Sequence, residues 1–243
     1  MINSVLITGG NGGIGGMILN HLLGKGHKNV FCQYRNGNQN LIEAFTANDM
    51  NPEDHIVQAN LSNESEVKRM GKFLRDKTEF IGSVINVAGA SKNGMSWKTS
   101  KEDFMSVIDD NLLSAFLCSK EFIPDMRERQ FGRIINFSSI VGSTGIAGAA
   151  SYCAAKAGLI GLTKAMSKEL ATKNITVNAV ALGYFEAGLI DSVPEELKAE
   201  IKKSIPMQRF GTQKDIGSLI EYMISNDANY YTGQVVHLNG GQI

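Results

Sequence analysis

The sequence predicts an α/β chain: a doubly wound, mostly parallel seven-stranded sheet with helices on both faces. Three observations predict it. Seven short runs rich in β-branched residues are spread along 243 residues, and stretches of helical length separate them. Several runs also lack the polar alternation of a strand with one wet face. Strand–helix alternation of this kind requires right-handed crossovers, and it covers both sheet faces.

In order, the strand candidates are SVLIT at 4–8, VFCQY at 30–34, HIVQA at 55–59, SVINV at 83–87, RIINF at 133–137, TVNAV at 176–180 and VVHL at 235–238. The helical segments between them are 12–26, a stretch around 37–50, 65–77, the long segment 101–129, 151–173 and 215–225. In the last of these, Ile216, Leu219, Ile220, Met223 and Ile224 recur at three and four residues, forming one apolar stripe. Val67, Met70, Phe73 and Leu74 do the same earlier. No linker or low-complexity tract divides the chain, so 1–243 reads as one domain. Segment 183–212 is irregular and then carries the polar helix PEELKAEIKK, so residues 184–210 are the candidate cover over a site.

Composition narrows the function classes. Twenty-four basic residues balance twenty-four acidic ones, for a formal net charge of +0, which disfavours a nucleic-acid partner. Cys32, Cys118 and Cys153 form no CxxC pair and no disulfide framework. With no long apolar stretch and no signal-like segment, no membrane role is expected, and a cytoplasmic address follows. His21, His27, His55 and His237 are isolated in sequence and no ligand-like spacing occurs, so no metal is expected.

The first strand runs into GGNGGIGG at 9–16. Gly9, Gly13 and Gly15 allow a tight turn, close approach of a phosphate and close helix packing, so the loop can cradle a pyrophosphate. The triphosphate-binding pattern G-x-x-x-x-G-K-[ST] is absent. An acidic residue at the end of the second strand would hold the adenosine ribose hydroxyls, but Tyr34 and Arg35 stand there. A guanidinium makes charge-assisted bonds to a 2′-phosphate, which favours NADP(H) over NAD(H). The plain alternative is Arg35 as a solvated residue at a strand exit.

Further along, Ser139 closes a strand, and Tyr152 and Lys156 stand one helical turn apart on one face. A phenol with a pKa of about 10 is a sluggish proton donor or acceptor at neutral pH. An ammonium about 4 Å away contributes roughly 4 kcal/mol at an effective dielectric of about 20. Before desolvation is counted, that is enough to draw the phenol well down. Such a tyrosine can protonate an alkoxide as hydride arrives, with Ser139 holding the carbonyl oxygen.

Together these motifs resemble the short-chain dehydrogenase/reductase family, a Rossmann-fold family, over essentially the whole chain. TGGNGGIG at 8–15 is similar to its cofactor loop, Asn86-Val87-Ala88-Gly89 to its NNAG segment, and Ser139, Tyr152 and Lys156 to its serine and YxxxK positions. The resemblance implies Tyr152 as general acid/base, Ser139 as substrate-oxygen donor, and Lys156 on the nicotinamide ribose and beside the phenol. It implies Asn111 as the holder of a water that relays protons to Lys156. It also implies cofactor contacts at Thr8, Gly9, Asn11, Gly13, Ile14 and Gly15, and at Tyr152 and Lys156 themselves. Further contacts follow at Tyr34, Arg35, Asn60, Leu61, Asn86, Ala88, Gly89, Gly183 and Phe185.

GRIINFSSIVG, SYCAAKAGLIGLTKAMSKELA and TGQVVHLNGG are similar to the 3-oxoacyl-[acyl-carrier-protein] reductase branch. That branch implies NADPH-dependent reduction of a β-keto thioester, with an acidic carrier protein docked on basic residues near the site mouth. Arg127, Arg129, Arg133 and Lys173 are the candidates. The alternatives are a dehydrogenase of a small alcohol, sugar or secondary-metabolite hydroxyl, and a catalytically weak NADP-binding regulatory or scaffold protein. Departures from the family pattern are Leu182 for a proline, Ala187 for a threonine, Asn60 for an aspartate and Gly12 for an arginine. The substrate pocket is expected from 91–97, 142–150 and the cover, with Trp97 as a pocket wall or a partly buried structural residue. Small residues at Ala154, Ala157, Gly158, Gly161 and Ala165 suit close packing on a second subunit, giving a homotetramer or dimer.

Overall fold

The computed structural model describes residues 4–243. Its strands are β1 (Ser4–Thr8), β2 (Val30–Tyr34), β3 (Ile56–Gln58), β4 (Ile81–Asn86), β5 (Gly132–Ser139), β6 (Ile175–Leu182) and β7 (Val235–Leu238). They form one sheet in the order β3-β2-β1-β4-β5-β6-β7, and every pairing is parallel. All seven strands fall where the β-branched runs predict. β3 is shorter than HIVQA, because His55 ends a one-turn helix that Asn51 caps and Pro52 starts. β5 runs two residues past Phe137, which brings Ser139 to its last position.

The helices are α1 (Gly13–Gly24), α2 (Gln39–Thr46), α3 (Pro52–His55), α4 (Glu64–Lys77), α5 (Lys101–Ile108), α6 (Ser114–Arg129), α7 (Val141–Thr144), α8 (Ala150–Leu170), α9 (Glu195–Ser204) and α10 (Gln213–Ile224). They divide between the two faces of the sheet. Ile18, Leu22, Leu41, Phe45, Ile216 and Ile220 put α1, α2 and α10 on one face. Val67, Met70, Leu117, Phe122, Met166 and Leu170 put α4, α6 and α8 on the other. With both faces covered, β1 and β4 are buried along their whole length, which explains their missing polar alternation.

Two departures bear on function. Segment 101–129 is not one regular helix: a π-helical turn, Asp109–Leu113, separates α5 from α6. The wider turn carries Asn111 into a buried position. Residues 184–210 hold a short 3₁₀ turn at Leu189–Ser192 and then α9, which buries none of its residues. This cover has its own small cluster, Ile190, Ile205 and Phe210, apart from the two main cores.

Strand order reverses at β1 and β4, so a crevice opens beyond their carboxyl ends.

Candidate active site

The crevice begins at Thr8, whose Oγ1 accepts hydrogen bonds from Val87 N (3.0 Å) and Ala88 N (3.1 Å) and locks the exits of β1 and β4 together. Gly9 turns with φ +62°, and a Cβ there would stand 2.9 Å from Ala88 Cα. One residue invisible to motif reading holds this turn. The buried Gln33 accepts from Gly9 N through Oε1 (2.9 Å) and donates through Nε2 to Ala59 O (2.6 Å). It ties together the exits of β1, β2 and β3. Its only sequence signal is a polar residue inside an otherwise apolar strand.

Gly12 is the N-cap of α1, no side chain caps that end, and no acidic residue lies in the first turn. The amides around Gly13 and Ile14 therefore lack a partner side chain, and the helix dipole favours an anion there. Asn11 holds Asn36 O and Gly37 O through its Nδ2 (2.8 and 2.9 Å), fastening the β2 exit to the glycine loop. Tyr34 and Arg35 stand at that exit. Asn60 forms a tight turn, its Oδ1 accepting from Ser62 N and Oγ, and Leu61 is buried beside it. These features fit the pyrophosphate and adenosine of a dinucleotide.

At the opposite end of the crevice Tyr152, Lys156 and Asn111 lie together, while Ser139 closes β5, its Oγ accepting from Val141 N (3.4 Å) and donating to Leu182 O (3.5 Å). Tyr152 and Lys156 lie one turn apart on α8, with the Lys156 ammonium 5.3 Å from the centroid of the tyrosine ring. Lys156 is 4% exposed and donates to Phe137 O at 2.8 Å, two residues before Ser139. Asn111 donates through Nδ2 to Ala90 O (2.7 Å) and Val107 O (2.8 Å), while its Oδ1 is buried with no partner among the described residues. A Cβ on Gly89 would collide with that Oδ1 and lie 3.5 Å from Lys156 Nζ, so a glycine keeps open the space between the two groups. An unpartnered buried acceptor beside a buried ammonium suits a ribose hydroxyl or a bridging water.

Charge behaves differently from the sequence-based expectation. Burial drives the Tyr152 phenol up to about 12, with the neighbouring Cys153 adding to it. Burial also lowers the Lys156 ammonium to about 8. Desolvation of both groups therefore outweighs their mutual attraction in the protein alone, and the lysine does not draw the phenol down.

Not every expected residue faces the crevice. The Asn86 side chain turns into the sheet, donating to Ser119 Oγ and Asn136 Oδ1 (both 2.9 Å). Asn136 in turn bonds Thr163 on α8 (2.9 Å), so the network braces β4, β5 and α8. The Phe185 ring is buried against Gly211, and Gly183 packs on Asn239 and Gln242. The Ala187–Gly188 backbone rests directly on Gly13, so this part of the cover lies over the glycine loop.

The expected docking set near the site mouth is overturned within one chain. Arg133 is fully buried, bonding Ser225 O, Gly132 O, Asn174 O and Asn229 Oδ1. Arg127 and Arg129 end α6, and Lys173 precedes β6. All three sit where parallel strands begin, at the edge of the sheet opposite the crevice. Trp97 is 76% exposed, neither a pocket wall nor a buried structural residue. His21 and His27 are not isolated in space, since both reach Glu221 (3.2 and 3.8 Å) and tie α1 to α10. Segments 91–97 and 142–150 do meet, through a bridge between Gly94 and Ala149.

A seven-stranded parallel sheet, a glycine turn at the switch point and a Ser–Tyr–Lys set at the neighbouring strand end define a nicotinamide-dependent oxidoreductase class. Residues 9–242 match the family described as enoyl-(acyl carrier protein) reductase, and the chain belongs to the short-chain dehydrogenase/reductase family. It is 38% identical over 236 residues to nodulation protein G of Rhizobium sp. (strain N33), covering 97% of this chain and 95% of that one. It is 36% identical over 244 residues to the 3-oxoacyl-[acyl-carrier-protein] reductase FabG of Staphylococcus aureus (strain Mu50), covering 99% and 98%. A crystal structure of a putative gluconate dehydrogenase from Agrobacterium tumefaciens shares the fold with a TM-score of 0.90, at 24% identity over 99% of this chain and 95% of that one. The chain is thus an NAD(P)(H)-dependent oxidoreductase of carbonyl or alcohol groups. Among the described residues no helix is long and apolar enough to cross a membrane.

Proposed function

We propose that this protein reduces a 3-oxoacyl thioester, carried on an acyl carrier protein or a related carrier, to the 3-hydroxy product with NADPH. The observation that carries the chemistry is the buried Lys156, set between the Tyr152 ring and the free Oδ1 of Asn111. The substrate class rests on the 3-oxoacyl reductase relatives, matched over nearly their whole length.

The nicotinamide cofactor supplies the hydride. Ser139 Oγ, at the end of β5, holds the substrate oxygen and stabilises its developing charge. Tyr152, with a phenol near 12, is fully protonated at neutral pH and ready to donate its proton to that oxygen. The Lys156 ammonium offsets the negative charge left on the phenolate. Asn111 Oδ1 accepts from a water that restores protons through Lys156. The uncapped end of α1 takes the pyrophosphate. Arg35 takes the 2′-phosphate.

We further read 1–243 as one domain that works as a dimer or tetramer. Ala154, Ala157, Gly161 and Ala165 form an exposed small-residue face on α8, beside the exposed Phe104, Met105 and Phe116 of α5 and α6. A twofold axis across this face would pair the helices antiparallel.

The test is a substrate panel followed by loss of reduced-cofactor absorbance. Acetoacetyl thioesters on the carrier and on a small thiol are expected to outrun ketones and sugars. A sugar or simple alcohol preferred over every thioester would move the protein to the dehydrogenase reading. Absence of turnover with all of them would favour a regulatory or scaffold role.

A further inference from the structure

Arg35 does not stand free at the β2 exit. Its Nη1 donates to Asp110 Oδ1 at 2.7 Å, and this is the only ion pair of either residue among the described residues. Asp110 belongs to the π-helical turn and directly precedes Asn111. In the sheet, β1 lies between β2 and β4. A bond from the β2 exit to the helical segment that follows β4 therefore crosses over the end of β1, at the adenosine end of the crevice.

Both partners are held by rigid backbone. Gln58 Nε2 donates to Arg35 O (3.0 Å), and Asn11 holds the two residues that follow. On the other side Ser114 Oγ donates to Asp110 O (2.9 Å), and the buried Asn111 anchors the turn. The Asp110 side chain is 18% exposed and that of Arg35 49%, so the acid is the more buried partner.

We infer that Asp110 sets the cofactor preference by competing with the 2′-phosphate for Arg35, an inference that rests on the proposed role of Arg35. A 2′-phosphate drawing the guanidinium away leaves a partly buried carboxylate unpaired beside a dianion. Both consequences oppose binding of the phosphorylated cofactor. The unphosphorylated cofactor carries only a neutral 2′-hydroxyl there and leaves the ion pair standing. Asp110 thus moderates the selectivity that Arg35 creates, an effect that a search for an acidic residue at the end of β2 misses.

The experiment measures dissociation constants of NADPH and NADH by titration calorimetry at low ionic strength. It compares the unaltered protein with Asp110→Asn, Arg35→Ala and the double variant. Asp110→Asn is expected to tighten NADPH about three- to tenfold and to change NADH less than about twofold. The effect should shrink in the Arg35→Ala background, where there is no guanidinium to compete for. Equal changes for both cofactors, or no change for NADPH, would overturn the inference. If Arg35→Ala leaves the NADPH-to-NADH ratio untouched, the phosphate-binding role of Arg35 fails, and this inference fails with it. A normal loss on Arg35→Ala with no gain on Asp110→Asn sinks the competition alone. Asp110→Ser is the second neutral variant, for use where the asparagine destabilises the turn.

Discussion

Two cations are buried along β5, one at each end, and their surroundings differ in a way that separates chemistry from architecture. Arg133, near the amino end, is 0% exposed; its guanidinium bonds three backbone carbonyls and Asn229 Oδ1 and lies 4.2 Å over the Phe131 ring. Lys156, at the carboxyl end, bonds one carbonyl, that of Phe137. Burial lowers both, Arg133 to about 10 and Lys156 to about 8. Arg133 thus keeps its charge at neutral pH and has four of its five N–H donors engaged, as a structural clamp does. Lys156 has donors to spare and a proton held less tightly, and it faces an acceptor on Asn111 that also lacks a partner. A buried cation left short of partners marks a place where a ligand is meant to complete the set.

The sharpest way to break this contrast is at the carboxyl end. Tyr152→Phe and Lys156→Met are each expected to lower ketone-reduction turnover by about 10²–10⁴-fold. Tyr152→Phe should leave NADPH affinity within about threefold. Turnover near that of the unaltered protein, measured under saturating substrate, would erase the distinction between the two ends.

At the amino end the order of effects should invert. Arg133→Leu leaves several buried carbonyls without donors and is expected to destabilise the protein by about 2–4 kcal/mol. Turnover per folded molecule should stay within about twofold. Denaturant melts paired with kinetics at 25 °C check this, and a large kinetic loss with unchanged stability would contradict it.

The smallest expected effect is a pH dependence. Lys156 ionises near 10.5 when unfolded and near 8 when folded, so between those values the unfolded chain binds more protons. The lysine therefore opposes folding in full below about pH 8, and its penalty fades as pH rises toward about 10.5. Lys156→Met should stabilise the protein near pH 7 by about 1–3 kcal/mol, after loss of the Phe137 bond is counted. That gain should shrink toward pH 10. A difference in melting temperature that does not vary with pH would argue against a depressed lysine.

Residue pattern alone was enough for most of the framework, because its causes are local. The β-branched runs located every strand, the three-and-four spacing located α4 and α10, and glycine chemistry located the turn after β1. The places of Ser139 at a strand end and of Tyr152 and Lys156 one turn apart on a helix were legible, because element boundaries and helix period fix them. What escaped depends on groups far apart in the chain. Arg133 looked like a surface charge until β5, the turn before β6 and the segment after α10 closed around it. Arg127, Arg129 and Lys173 were assigned to the wrong end of the sheet, because which end holds the crevice follows from parallel topology. Gln33 and Asp110 carry no motif, and each matters through a partner 24 to 75 residues away. The direction of the Tyr152 shift also belonged to the tertiary structure. Spacing measures how near the lysine lies, but only packing determines how much water both groups lose.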